Sequence, residues 1–299
     1  MRGKATGKAY FFAILAVLFW STSPTAFKLG LSYQDSYQLL AGASLTSFCL
    51  LGILLLAQGK ARNMLSLTWK DFLFSALMGL LNPLAYYLIL FKAYSLLPAQ
   101  VAQPLNMVWP LVLVLISIPL LKQKISFLSL GAMVISFAGV ILISYQGGTG
   151  GKDPGNRLGI FLALSTSLLW ALYFIYNARD KKDPVIRLFL NFLFASVYLL
   201  IGGLFREQGL PVSTGGWLSA VYVGIFEMGI TFVFWILAMQ YAPSTDRISN
   251  LVYMAPFLNL ILVSMVLDER IYLSTVYGII LLVTGIVFQN LQKRHAGKA

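Results

Sequence analysis

Long, almost charge-free apolar stretches follow one another along most of this chain, separated only by short polar turns. A hydrocarbon core of roughly 30 Å is crossed by about 20 apolar residues in helical form. Ten stretches reach that length, with limits near 9–30, 37–57, 71–94, 99–121, 125–145, 157–177, 186–205, 216–241, 246–267 and 271–291. In lipid, every backbone N–H and C=O must be satisfied within the chain, which leaves helices or a closed barrel. A barrel would show alternating segments of about ten residues, and the sequence has none. The chain therefore reads as an all-α membrane protein with ten transmembrane helices. Composition decides the same way: 11% of the 299 residues are charged, against about 25% in soluble domains.

Other classes fall away on single residues. A disulfide framework needs partners, and Cys49 is the only cysteine. The one histidine, His295, stands near the end of the chain, so no metal site, cofactor or catalytic residue is assigned. The net charge of +12 could point to nucleic acid, but the basic residues stand singly or in pairs between apolar stretches. That is a membrane-topology pattern, since cytoplasmic loops carry the excess of Lys and Arg. With the N-terminus inside, the outer segments hold Lys28, Lys92, Lys152, Arg157, Arg206 and Arg270, and the other 16 of the 22 lie inside. Both termini are thus expected in the cytoplasm. Arg2, Lys4 and Lys8 ahead of an apolar run resemble a signal peptide, yet no small-residue cleavage site follows Trp20, so the first span is expected to be retained.

Self-comparison divides the chain. At an offset of 150, Phe11, Ala13 and Trp20 fall on Phe161, Ala163 and Trp170. At 145, Gly79, Ala93 and Pro98 fall on Gly224, Ala238 and Pro243, and at 146, Pro110, Leu121, Ile125 and Gly139 fall on Pro256, Leu267, Ile271 and Gly285. The expected organisation is a first five-helix repeat over 1–146, a Gly-rich outer linker over 147–156, and a second five-helix repeat over 157–299. Five spans per half is odd, so the second half enters from the opposite side and the repeats are inverted. Inverted repeats are typical of secondary transporters.

Residues that do not belong in lipid mark the candidate site. Nine of the ten acidic residues sit in loops or at span ends, and the exception is Glu227. A charge at that depth costs roughly 2.5–3.5 kcal/mol on insertion scales, so Glu227 is expected to face the interior and bind a substrate amine or a coupling proton. Asn82 is its counterpart at the 145 offset. Helical spacing puts Asn82 with Tyr86, Glu227 with Thr231 and Trp235, Trp170 with Tyr173, and Asn106 with Trp109 on common faces. These aromatics and amides outline a cavity with few charges, suited to stacking a small amphipathic or aromatic solute. Pro24, Pro83, Pro104, Pro110, Pro119 and Pro256 lie inside spans and tend to kink them; the paired Pro110 and Pro256 are the candidate hinges.

The same residues carry a family resemblance over nearly the whole chain. Trp20-Ser21, Trp170, the two Ala-x4-Pro turns at Ala93–Pro98 and Ala238–Pro243, and Leu267-Asp268-Glu269-Arg270-Ile271 resemble the drug/metabolite transporter superfamily in its ten-helix EamA-type branch. Lys122-Gln123-Lys124 departs from it, lacking the glutamate of the equivalent turn. Leu18-Phe19-Trp20-Ser21-Thr22 and Asn106-x2-Trp109-Pro110 are similar to bacterial aromatic amino acid exporters. The resemblance implies a basket of ten helices around a central hydrophobic cavity, in a bacterial inner membrane, exporting aromatic and other amino acids. The substrate would lie against Trp20, Tyr86, Trp109, Trp170, Tyr173 and Tyr253, with Asn82, Asn106 and Glu227 as polar contacts. Export of another metabolite or a cationic drug is the alternative, and a membrane enzyme a weaker one. The partners implied are a small-molecule substrate and the lipid bilayer, not nucleic acid; the oligomeric state stays open, a monomer being sufficient.

Overall fold

The computed structural model describes residues 2–121, 127–146, 154–178, 180, 182–242 and 250–296. Residues 147–153 of the expected linker, Lys122-Gln123-Lys124, Ile125 and Pro243 lie outside them. Helix makes up 88% of the structure, and no strand occurs among the described residues. In order the helices are α1 (Arg2–Tyr33), α2 (Ser36–Ala57), α3 (Trp69–Gly79), α4 (Tyr86–Leu96), α5 (Ala99–Asn106), α6 (Trp109–Leu121) and α7 (Phe127–Gln146). They continue as α8 (Pro154–Ala178), α9 (Pro184–Gly203), α10 (Thr214–Tyr222), α11 (Ile230–Tyr241), α12 (Ala255–Leu267) and α13 (Leu273–Ala296).

Among the described residues, six stretches are long and apolar enough to cross a membrane: Gly7–Tyr33, Ser36–Ala57, Trp69–Leu96, Arg157–Asn177, Pro184–Gly203 and Thr214–Tyr241. They coincide with the first, second, third, sixth, seventh and eighth expected spans. Of the other four expected spans, the fifth corresponds to α7 and the tenth to α13, while the fourth and ninth are interrupted. The fourth is split at Met107-Val108 between α5 and α6, and the ninth opens with the 3-10 turn Asn250–Met254 before α12. Large apolar side chains such as Phe11, Leu56 and Phe161 stand exposed on the outside. That is a surface for lipid, far beyond the apolar patches tolerated in water.

Polar side chains start the helices where the backbone needs them. Asp35 accepts from the Gln38 amide while the Gln38 side chain accepts from the Asp35 amide, a reciprocal capping box. Asp183 caps α9 through the amides of Val185 and Ile186, with Pro184 in the first turn. Burial disfavours the charged form of Asp183, but the Lys60 ammonium at 2.7 Å and those two amides outweigh it, holding the carboxyl below the ordinary range. Inside the spans, Ser21, Thr22 and Ser47 return their hydroxyls to carbonyls three or four residues back. These three hydroxyls are thereby satisfied locally within the apolar layer.

Helices from the two ends of the chain interleave. α1 packs on α11 and α8 on α4; α2 packs on α10, and α9 on α3. α7 and α13 form the most extensive pair. They approach closely because their crossing lacks side chains: a Cβ on Gly139 would stand 2.5 Å from the Gly278 carbonyl oxygen, and one on Gly285 2.5 Å from that of Ala132. Close backbone approach through small residues is the usual means of association where lipid supplies no hydrophobic drive.

Charged side chains tie the interleaved helices at their ends. The Arg187 guanidinium of α9 is buried. It pairs bidentately with Asp180, donates to the Asp71 carboxylate, the Asp71 carbonyl and Ser75 Oγ of α3, and lies 4.8 Å over the Phe74 ring. At the turn between α4 and α5, Glu269 accepts from the Ala99 amide at 2.9 Å and the Gln100 amide at 3.4 Å. Lys28 donates to the Tyr94 and Leu97 carbonyls, each at 3.1 Å. The carboxylate therefore meets the positive end of α5 and the ammonium the negative end of α4, each the favourable sign for the helix dipole.

Candidate functional site

Two π-helical turns interrupt the long hydrophobic stretches at nearly equivalent places: Leu80–Ala85 joins α3 to α4, and Val223–Gly229 joins α10 to α11. A π turn holds an extra residue and shifts every side chain after it around the axis. The regular spacing expected from Asn82 to Tyr86 is therefore not realised. Asn82 sits inside the first π turn with an extended backbone (φ −148°, ψ 118°), and Tyr86 opens the next helix. Likewise the Thr231 hydroxyl reaches back five residues to the Phe226 carbonyl, so Glu227 and Trp235 do not share a simple helical face. Both polar counterparts, Asn82 and Glu227, are buried within their π turns.

A belt of rings runs between the two parts of the chain. Trp235 lies 5.3 Å from Trp20, Trp20 5.8 Å from Phe232, Phe232 5.8 Å from Trp170, and Trp170 5.1 Å from Tyr86. Trp170 also meets Tyr173 at 5.8 Å, as their i, i+3 spacing leads one to expect, and Tyr86 meets Tyr87 at 4.8 Å. The interplanar angles range from 35° to 83°, within the tilted and edge-on geometries aromatic quadrupoles prefer. Trp20, Trp170, Phe232 and Trp235 are half-buried.

Hydroxyls and amides line this belt. Tyr86 Oη donates to Asn106 Oδ1 at 3.2 Å, and Asn106 Nδ2 donates to Thr166 Oγ1 at 2.8 Å. Asn191 Nδ2 donates to Tyr173 Oη at 3.1 Å. Glu227 accepts at both oxygens, from Ser23 Oγ at 2.6 Å and from Tyr87 Oη at 2.9 Å. The carboxyl thus joins the π turn of the second part to α1 and α4 of the first.

Of the sequence-identified residues, Trp20, Tyr86, Asn106, Trp170 and Tyr173 are linked directly to one another or to ring neighbours in the belt. Glu227 joins it through Tyr87. Trp109 packs instead on Phe174, at 5.7 Å. The expected helical face of Asn106 and Trp109 is divided, because α5 ends at Asn106 and α6 begins at Trp109. Tyr253 is buried in the 3-10 turn ahead of α12. Pro110 and Pro256 are each the second residue of their helix. A proline there loses no helical hydrogen bond, so these two mark segment starts rather than kinks within a continuous helix.

Sequence reasoning passed over Ser23, Tyr87, Thr166 and Phe232. Ser23 offered a signal, lying three residues after Trp20 in a Ser-Thr-Ser run, but one hydroxyl among many in membrane helices carries little information. In sequence Arg187 is one of the 16 basic residues on the inner side; its spacing from Asp180 and Asp183 is the available clue to its buried pairing.

The family model of the EamA-like transporter family matches residues 7–145 and again 157–291. The transporter YvbV of Bacillus subtilis is 24% identical over 93% of this chain and 90% of its own length. The aromatic amino acid exporter YddG of Ancylobacter novellus is 27% identical over 69% of this chain and 71% of its own length. A solved crystal structure superposes with a TM-score of 0.69 at 23% identity, covering 96% of this chain and 97% of that one, a likeness of fold. The chain belongs to the EamA-like transporter family of the drug/metabolite transporter superfamily.

Proposed function

We propose that this transporter exports small organic solutes, aromatic and other amino acids foremost, by alternating access between two inverted five-helix repeats. In this reading ten helices cross a bacterial inner membrane, residues 1–146 and 157–299 form the repeats, 147–156 is the outer linker, and both termini are cytoplasmic. The repeats exchange equivalent partners, α1 with α11 and α8 with α4. The self-paired α7 and α13, where Ser136 Oγ donates to the Leu282 carbonyl at an offset of 146, suit a pseudo-two-fold axis between them. Pro110 and Pro256, at equivalent helix starts, serve as the hinges.

The observation that carries the substrate class is the ring belt from Trp235 through Trp20, Phe232 and Trp170 to Tyr86, which spans both repeats and carries no charge of its own. A ring or aliphatic side chain of the solute stacks there, while Asn82, Asn106 and Thr166 offer hydrogen bonds to its polar end. Trp109, Tyr173 and Tyr253 complete the lining. The likeness to an aromatic amino acid exporter points the same way. A cationic drug would favour a free carboxylate, and both oxygens of Glu227 already accept from hydroxyls, so a neutral or zwitterionic solute fits better.

Counterflow in proteoliposomes with a panel of labelled amino acids tests the reading. Phenylalanine and tryptophan are expected to exchange fastest. Trp170→Ala is expected to raise the half-saturating concentration about tenfold, from loss of ring contacts worth roughly 0.5–1.5 kcal/mol each. Exchange by folded Trp170→Ala with wild-type affinity would reject the belt as the binding site.

A further inference from the structure

The Glu227 site has a property that a substrate contact does not need: it can hold a proton in either state without stranding a buried polar atom. Glu227 is 9% exposed, and among the described residues no Lys or Arg is paired with it. Without the proton, Oε2 accepts from Ser23 Oγ at 2.6 Å and Oε1 from Tyr87 Oη at 2.9 Å. Ser23 Oγ also lies 3.1 Å from the Phe19 carbonyl, one turn back on its own helix. When Oε2 takes up a proton it becomes the donor to Ser23 Oγ, and the Ser23 hydrogen turns to Phe19 O. Tyr87 goes on donating to Oε1. One hydroxyl rotation exchanges the two arrangements, and both are complete. Unsatisfied buried polar groups cost about 1–3 kcal/mol each, and this site avoids that cost in both protonation states.

The surroundings leave Glu227 as the group that changes charge. On α4, Tyr87 donates to it, Tyr86 Oη donates instead to Asn106, and Tyr94 packs on Phe27. α10 brings Tyr222, whose hydroxyl is bonded to Thr22 at 2.8 Å. On α1, Lys28 points to the α4–α5 turn. On α2, Tyr37 is bonded to the Leu199 carbonyl and Cys49 is exposed. The titratable group of α11, Tyr241, lies under Lys8 at the far end. Tyr87 in turn meets Tyr86, which meets Trp170 at the centre of the belt. A proton at Glu227 and a solute against Trp170 are thus three contacts apart.

We propose that Glu227, with Ser23 and Tyr87, is the coupling-proton site of this transporter, and that one proton enters as one solute leaves. This rests on the transport reading above. The carboxylate binds a proton from one side of the membrane and releases it to the other, with no covalent change. Occupancy by proton and by solute alternates because both act on the Tyr87–Tyr86–Trp170 contacts.

The test uses the full chain in proteoliposomes with labelled L-phenylalanine, the voltage clamped at zero and the lumen one pH unit more acid than the medium. One-for-one exchange is expected to concentrate phenylalanine about tenfold inside, since one pH unit is worth a factor of ten. Glu227→Gln is expected to bring the ratio to about one, whatever its absolute rate, and should Glu227→Gln not fold, Tyr87→Phe is measured for the same loss of gradient response. Infrared difference spectra give a reading that needs no solute: a carboxylic C=O band that titrates in the wild-type protein and shifts in Tyr87→Phe. Wild-type flux that ignores the gradient, or the absence of a titrating band that responds to these substitutions, overturns the proton site. No flux of any amino acid beside an intact titrating band overturns the substrate reading and leaves the proton site standing.

Discussion

Replacing Arg187 by methionine removes one side chain and leaves two carboxylates behind. The guanidinium is 6% exposed, and its partners Asp71 and Asp180 are 12% and 14% exposed. Removing one partner of a buried ion pair costs about 3–5 kcal/mol, because the remaining charge loses its compensation. The two carboxylates are not equally stranded. Asp71 keeps the Thr68 amide and hydroxyl, each at 2.8 Å, and the Lys182 ammonium at 3.2 Å. Asp180 keeps the Lys182 amide at 3.2 Å. The loss is therefore expected near the low end, about 3 kcal/mol, with most of it residing in Asp180. Arg187→Met/Asp180→Asn should then recover about 2 kcal/mol of that loss, a coupling in the range known for contacting residues. Arg187→Lys, which keeps the charge but not the fork, should fall between. Equilibrium unfolding in mixed micelles, followed by tryptophan emission, measures all four proteins. Arg187→Met within about 1 kcal/mol of wild type, or a double variant no better than the single, would refute the reasoning.

Three further outcomes follow from the packing and the caps. Gly139→Leu places a side chain where the Gly278 carbonyl oxygen stands 2.5 Å from a Cβ; it is expected to separate α7 from α13 and to lower the melting temperature in detergent, whereas a change at Gly131, which faces open space, should not. Asp183→Ala should cost about 1 kcal/mol at neutral pH from the lost cap. Because the folded carboxyl is held below its ordinary value, that advantage is present above about pH 4 and fades as pH falls through the lowered value, which unfolding curves at pH 7 and pH 3 would reveal. Pro110→Ala keeps a helix start that needs no amide donor, so stability should change by less than about 1 kcal/mol; if the α5–α6 junction is a hinge, counterflow slows while unfolding stays near wild type.

The helices were legible because lipid removes the ambiguity that solvent creates. Six of the expected spans coincide with helices long and apolar enough to cross, with ends within a few residues of those read from hydropathy. The break in the fourth span was announced by its prolines, though not its form: Pro110 opens a new helix instead of bending an old one. The site was legible in part. Trp170 and Tyr173 lie on a regular helix, and their spacing gave their contact directly. Asn82 and Glu227 lie in π turns, where the period of 3.6 residues fails and no wheel projection holds.

By itself the sequence determined that the chain lives in lipid, that it is helical, and that Glu227 is the one acid within a span interior. Each follows from the cost of placing unsatisfied polar groups in hydrocarbon, which depends on composition along the chain and on little else. The tertiary structure decided what the anomalies do. It set Ser23 and Tyr87 on Glu227 from 204 and 140 positions away, joined Trp20 to Trp235 and Trp170 to Tyr86, and turned Arg187 from a topology marker into a buried tie. Those pairings come from helices crossing at close range and from two π turns that rotate the side chains beyond them. Neither the crossing nor the rotation leaves a periodic trace in the order of residues.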